Sequence, residues 1–428
     1  MTDSIVGSLP PGWEVTTLGE VCVQGGGGIQ TGPFGSQLHA SDYVPEGIPS
    51  IMPQNIGDNR IVTDGIARIS DADSGRLRRY LVRPGDIVYS RRGDVERRAL
   101  VRDEQDGWLC GTGCLRVRFG EGIVDPTYAA YYLAHPAVRA WITRHAVGAT
   151  MPNLNTAILS AVPFAKPALH EQRRIAATLG ALDDKIELNR RINYTLESIA
   201  RAIFKSWFVH FDPVRKKMEG GEVGLPSDLA ALFPSSLGES PLGQIPTGWV
   251  VDAVGELMDL RYGKALRAQD RQPGSVPVYG SNGQVGWHDT PLVSGSGIVV
   301  GRKGNPGTVS WAQGDFFPID TSFYVRPKRD TADLHYLYHA LARLGLPSLS
   351  ADSAVPGLNR ESACHARLLK PPLALTTAYG SFVKPLVERQ AQFERESVRL
   401  AETRDALLPR LLDGTLHHTH QCRGVRCD

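Results

Sequence analysis

Arginine, lysine, asparagine and glutamine are the side chains that hydrogen-bond the edges of bases, and in this chain they gather beside glycines in two places. The first gathering begins at Thr31–Leu38, "TGPFGSQL", which supplies Thr31, Phe34, Ser36 and Gln37. Gln54 and Asn55 follow, then Arg76, Arg78, Arg79 and Arg83. "SRRGD" holds Arg91 and Arg92, with Arg97 and Arg98 just beyond, and "MPNLN" holds Asn153. The second gathering has Lys264, Arg267 and Arg271, then "YGSNG" with Tyr279, Ser281 and Asn282, then "GRKGNPG" with Arg302, Lys303 and Asn305. Glycine lets a backbone come close to a phosphate, and each well-placed bidentate contact discriminates between bases by about 1–3 kcal/mol. Ordinary surface charge explains any single arginine here equally well. Two corresponding loops with the same composition point to a double-stranded DNA partner.

Catalytic patterns are missing by comparison. Gly263-Lys264 runs into Ala265 with no earlier glycine at the spacing of a phosphate loop. Gly295-Ser296-Gly297 lacks the third glycine of a dinucleotide fingerprint, and there is no Asn/Asp-Pro-Pro-aromatic motif for adenine methylation. No nuclease-type Asp…Glu-x-Lys cluster occurs either. His417, His418, His420, Cys422 and Cys427 fit no zinc spacing and read as an irregular tail, while Cys110 and Cys114 read as core thiols. No metal or cofactor is therefore expected on this chain. A net charge of +2 does not by itself call for nucleic acid, so the case rests on where the charge is placed. The absence of a long apolar run or a secretory leader predicts a cytoplasmic protein without a membrane partner.

The elements that must hold these loops are written twice. "LPPGWEVTTLGEV" at Leu9–Val21 returns as "IPTGWVVDAVGEL" at Ile245–Leu257, with Trp13 and Trp249 separated by 236 residues. "IVYSRRGD" returns as "IVVGRKGN" at an offset of 211, and "MPNLN" returns as "VPGLN" at 204. The shrinking offset means that the second copy is shorter inside its globular part. Short strands at Asp86–Ser90, Leu115–Phe119, Gly297–Gly301 and Ser322–Arg326, each copy with one short aromatic helix, predict two compact α+β domains.

A helix with a seven-residue apolar seam closes each copy. Ile175, Leu182, Asn189, Leu196 and Ile203 mark the first seam, with Leu179, Ile186, Asn193 and Ala200 beside it. Tyr379, Leu386, Phe393, Leu400 and Leu407 mark the second, in phase at the 204-residue offset. Such a narrow stripe suits a helix lying along a partner helix, and the matching phase favours pairing with each other over two helices covering separate cores. Gly380 and Pro385 weaken the start of the second helix as an unbroken rod. Residues 215–244, rich in Gly, Pro and Ser, read as a linker.

In this order, "LPPGW", "GPFGSQL", "LVRPGDIVYSRRGD", "IFKSWFVHFDPV", "YGSNGQVG", "VVGRKGNPG", "DTSFYV", "VPGLNR" and "LLPRLLDG" resemble the specificity subunit of type I restriction-modification systems from about Leu9 to Leu416. The resemblance implies target recognition domains at 1–168 and 245–372, and helical regions at 169–214 and 373–414 that pair as an antiparallel coiled coil. The linker and a disordered tail, 415–428, complete that division. It further implies a bipartite DNA site, one half read by each domain, two methyltransferase subunits docked on this scaffold, and restriction subunits that can join them. S-adenosylmethionine, ATP and magnesium belong to those partners, so the chain itself is expected to be non-catalytic. The glycine-rich "QGGGGIQ" and the tail depart from the family pattern. A self-sufficient DNA-modifying enzyme and a scaffold that does not read DNA stand as the alternatives.

Overall fold

The computed structural model describes residues 4–148, 150–351 and 357–416. The His/Cys residues of the tail and Val355-Pro356 of the second repeat motif lie outside them. The chain divides into two compact units, one holding the described residues up to Glu187 and from Ser397 on, the other holding Leu188–Glu396.

Each unit has the same strand plan. In the first, Glu14–Thr17 pairs with Pro163–Lys166 and so brings the two ends of the globular part together. A four-stranded antiparallel sheet follows the order Gly26–Thr31, Cys114–Gly120, Ile87–Ser90, Arg98–Leu100. In a second sheet the strand Ile48–Ile51 lies between Ala67–Ile69, antiparallel, and Leu109–Cys110, parallel. The second unit repeats this. Val250–Ala253 pairs with Arg367–Lys370, and the main sheet runs Met258–Tyr262, Ser322–Pro327, Gly297–Gly301, Val309–Ala312. Val276–Gly280 then sits between Gly283–His288, antiparallel, and Phe317–Pro318, parallel. Among the described residues the shorter second copy has no counterparts of the strand Tyr43–Val44 and the helix Asp71–Arg76.

The short aromatic helices also correspond. Asp125 caps Pro126–Tyr132 and Asp333 caps Leu334–Arg343, each by accepting a backbone N–H through its carboxylate. Three residues past each cap, a buried tyrosine hydroxyl donates to a carbonyl of the closing strand, Tyr128 to Ala165 at 2.8 Å and Tyr336 to Leu369 at 2.5 Å.

Both long helices form without a break, Leu169–Phe208 and Leu373–Leu412. Within the second unit they run antiparallel: Asn189 Nδ2 donates to Glu396 at 3.0 Å, Asn193 and Gln390 exchange side-chain-to-backbone bonds, and the Tyr379 hydroxyl donates to the Ala200 carbonyl. The first unit pairs the other ends, with Arg404 on Asp183 at 2.6 Å. Gly380 and Pro385 do not interrupt the second helix. Pro385 faces outward, where the carbonyl it leaves unpaired can be hydrated. Gly380 is buried, and a Cβ there would stand 2.4 Å from the Asp333 carboxylate, so glycine lets the helix pass over the cap of the aromatic helix.

The helices also do what the alternative expected of separate core-covering helices. Ile175, Ala176 and Leu179 join Leu408, Leu411 and Leu412 in the first unit's core. Ala200, Phe204, Trp207 and Phe208 join Leu375, Tyr379 and Val383 in the second unit's core. Residues 215–244 correct the linker expectation. They contain the helix Ser227–Ala231 and the first strand, Leu237–Ser240, of a hairpin whose second strand, Gly243–Pro246, runs into the next domain, and they bury Leu229 and Phe233. Leu229 and Phe233, with Leu225, Leu232 and Leu237 packed beside them, hold this stretch to the core without any periodicity to announce them. Among the described residues no helix is long and apolar enough to cross a membrane.

His339 lies buried in the second unit beside Phe204 and Tyr379, and burial, with Arg201 and His335 adding to it, lowers its pKa to about 4. A histidine lowered on folding gives stability that is complete above its unfolded value near 6.5 and is lost as pH falls towards 4. The melting temperature should therefore fall more between pH 6.5 and pH 4 in the native chain than in His339→Asn, followed by circular dichroism.

Candidate nucleic-acid interface

In each unit the first strand of the main sheet ends at a glycine that must be one. A Cβ on Gly32 would meet the Gly111 carbonyl at 2.1 Å, and one on Gly263 would meet the Ile319 carbonyl at 2.1 Å. These positions correspond, since each amide donates to the neighbouring strand, Gly32 to Cys114 at 2.9 Å and Gly263 to Ser322 at 3.1 Å. Thr31 and Tyr262, just before the glycines, are therefore equivalent strand ends.

The loops after the third strands come to the same place. Arg91 lies over the Phe34 ring, with the guanidinium carbon 5.7 Å from the centroid. Its counterpart Arg302 lies over Tyr262 at 4.9 Å and donates to the Asp320 carbonyl at 3.1 Å. Arg92 forms a β-bridge with Asn153, and Lys303 forms the matching bridge with Gly357. The amides of Leu154 and Leu358 donate to the carbonyls of Arg91 and Arg302, each at 2.8 Å. These backbone bonds explain why "SRRGD" and "MPNLN" recur together: the last asparagine of each repeat, Asn155 or Asn359, caps the next helix, and the residues before it pin the basic loop. Gly93 and Gly304 turn those loops with φ near +74° and +84°.

Around each arginine–aromatic pair lie exposed cationic and apolar groups. Arg92, Phe34, Met151 and Val147 are exposed in the first unit, and Lys303, Asn305, Lys264 and Tyr262 in the second. The Ser281 turn abuts the second loop, with its carbonyl 2.7 Å from the position a Cβ on Gly301 would take. Ser36, Gln54, Arg267 and Asn282 are solvated or half-solvated surface residues, and no side-chain hydrogen bond is described for them. The aromatic–arginine surface suits stacking and hydrogen bonding to a charged polymer.

Three of the sequence candidates serve the fold instead. Asn55 is buried: its Oδ1 accepts from Met52 N at 3.1 Å and its Nδ2 donates to the Val62 carbonyl at 3.0 Å, closing a turn. The Tyr279 ring packs in a small core with Val299, Ala312 and Phe316, and burial raises its hydroxyl pKa. Tyr279 and Ile51 occupy the same place beside the parallel strand, and Ile51 is a core residue. The Gln37 Oε1 is held by the Tyr80 hydroxyl at 2.8 Å and the Phe34 amide at 3.2 Å. Among the arginines, Arg98 is buried and donates to the Ala130 carbonyl at 2.9 Å, while Arg76 and Arg97 pair with Asp73 and Asp94.

Two features escaped the sequence reading. Tyr262 and Arg360, which lies 5.8 Å from the Tyr262 centroid, belong to the second cluster. The signal for Tyr262 was its place before the obligatory glycine. Asp86, almost fully buried, holds Arg118 through two bonds at 2.7 and 2.5 Å and braces the strand beneath Arg91.

Residues 10–198 match the family model described as the type I restriction modification DNA specificity domain. The chain is 24% identical to the type I restriction enzyme HindI specificity subunit of Haemophilus influenzae, over 86% of this chain and 95% of that protein. It is 21% identical to the MjaIX specificity subunit of Methanocaldococcus jannaschii, over 96% and 95%. Among solved structures, a type I restriction-modification S subunit from M. genitalium shares the fold, with a TM-score of 0.54 at 19% identity, covering 95% of this chain and 97% of that one.

Since both polar groups of Asn55 are satisfied inside the turn, Asn55→Ala should cost about 1–3 kcal/mol of stability. Denaturant unfolding checks the loss, and base preference measured on the same variant should be unchanged.

Proposed function

We propose that this chain, which belongs to the specificity subunits of type I restriction-modification systems, reads a bipartite DNA site with one half per globular unit. The observation that carries the reading is the duplicated cluster: an arginine over an aromatic ring and a second cation on a β-bridge, with the arginine and the second cation at equivalent positions in both units. In this reading Arg91, Arg92 and Phe34 face one half-site, and Arg302, Lys303 and Tyr262 face the other. Their loops supply base contacts through the guanidinium and ammonium groups and phosphate contacts through the glycine turns.

The chain acts here as a non-catalytic subunit that needs methyltransferase subunits, which supply S-adenosylmethionine chemistry, and restriction subunits, which supply ATP-driven cleavage. Large apolar side chains left exposed on the long helices, Leu188, Tyr194, Ile199, Phe382 and Val398, support docking of protein partners there. Each helix of 40 residues is about 60 Å long at about 1.5 Å per residue, which suits a spacer.

Methylation mapping by long-read sequencing of a host carrying the complex tests the readout. Arg91→Ala with Arg92→Ala should relax one half-site, and Arg302→Ala with Lys303→Ala the other, by roughly tenfold or more per lost contact. Unchanged half-sites in both variants would sink the reading. Removing seven residues in phase from both helices should alter the unread interval and leave each half-site intact, a change read from the same maps.

A further inference from the structure

The two units differ at one matched place beside the paired helices. In the first unit the Arg404 guanidinium, from the second long helix, bonds Asp183 at 2.6 Å and Asp58 at 3.2 Å, and the Tyr131 hydroxyl donates to the same Asp183 carboxylate at 2.6 Å. Buried Arg98 adjoins them, 4.0 Å from Asp58. At the repeat offsets that align the two halves, Tyr131 becomes His339, Asp183 becomes Val387, Arg404 becomes Ala200 and Arg98 becomes Val309. All four replacements line one pocket of about 350 Å³ in the second unit. The cavity is thus what remains when two cations, a carboxylate and a tyrosine are replaced in an otherwise repeated framework.

In place of that carboxylate and hydroxyl, its walls carry other groups that can hold a guanidinium. Trp311 stacks on His335 with centroids 4.7 Å apart, and Tyr338 stands edge-on to Trp311 at 5.8 Å. Two carboxylates, Glu197 and Glu394, border the pocket. Glu197 pairs with Arg201 along the helix at 2.5 Å, whereas no ion pair to Glu394 is found among the described residues. Lost hydration raises the Glu394 pKa, and His339 at the inner wall is neutral near pH 7, so it does not repel a cation. Aromatic faces beside an unpaired carboxylate bind planar organic cations, and arginine adds bidentate geometry.

We propose that this pocket receives an arginine side chain presented by a methyltransferase subunit, its guanidinium on Glu394 and its stem along Trp311 and Tyr338. The proposal rests on the subunit reading above. The mouth of the pocket supports a protein source, because it is framed by Glu197 and Ala200 of one long helix and by Val383–Glu394 of the other. Tyr194, Ile199 and Phe382 leave apolar surface on those same helical stretches.

The test uses the full chain and two probes, N-acetylarginine amide and its neutral isostere N-acetylcitrulline amide, followed by calorimetry and Trp fluorescence. The arginine probe should bind with a Kd of about 1 mM, near the weak end for a single anchor, and the citrulline probe at least tenfold more weakly. Ala200→Arg with Val387→Asp, which rebuilds the first unit's pair, should abolish probe binding and weaken assembly with the methyltransferase subunits at least tenfold. Glu394→Gln, a milder change should the double variant fail to fold, should erase the preference for arginine over citrulline and weaken assembly in the same direction. Equal binding of the two probes, or none, overturns the proposal. Probe binding with undiminished assembly of Glu394→Gln overturns its assignment to the methyltransferase. If the native chain does not assemble at all, the subunit reading fails, and the probe arm still decides whether the pocket is a guanidinium site.

Discussion

Each long helix carries an apolar stripe towards each of its ends, and the two ends are buried in different globular units. That shared burial is the constraint on which the rest depends. A helix of this composition is marginal in water by itself and needs its apolar stripe covered. Ile175 and Leu179 are covered in the first unit together with Leu408 and Leu412, while Phe204 and Phe208 are covered in the second together with Tyr379 and Val383. Each core is therefore complete only when both helices are present, so the helices are structural parts of both units.

Between those apolar ends the seam becomes polar. Asn189 is fully buried, and its amide meets Glu396, while the amides of Asn193 and Gln390 each reach the backbone of the opposite helix. Apolar residues at these places would pack in several registers; a buried amide is satisfied only where its partner stands, so it fixes the antiparallel alignment at some cost in stability. The same logic runs through the first unit's Tyr131–Asp183–Arg404 chain, where burial makes each polar group depend on the others.

The loops that carry the proposed readout are held mainly by backbone bonds, to which Arg302 on the Asp320 carbonyl and Arg97 on Asp94 add side-chain contacts. β-Bridges at Arg92–Asn153 and Lys303–Gly357, glycine turns and the asparagine caps that follow fix where the loop stands. The side chains above this frame are free to differ between copies: Arg92 is matched by lysine, Asn153 by glycine, and the aromatic partner of the arginine comes from three residues past the strand in one unit and from its end in the other. Such a frame permits two unlike half-sites on one architecture.

The repeated words, the strands around Ile87 and Gly297, and the two heptad seams were legible in the sequence, because periodicity and duplication are carried by residue order alone. That the helices pair was favoured by their common phase, and their antiparallel sense was implied by the family resemblance. What the sequence left undecided was which polar residues face outward. Asn55, Gln37 and Tyr279 have the same composition cues as true surface residues, but Asn55 is satisfied inside a turn closed at Val62, and the partner of Gln37 and the wall of Tyr279 come from distant segments at Tyr80 and Phe316. The folded stretch at 215–244 and the cavity beneath Ala200 were hidden for the same reason. Periodicity is local and linear; burial, and the loss of a side chain's neighbours, arises only when distant segments meet.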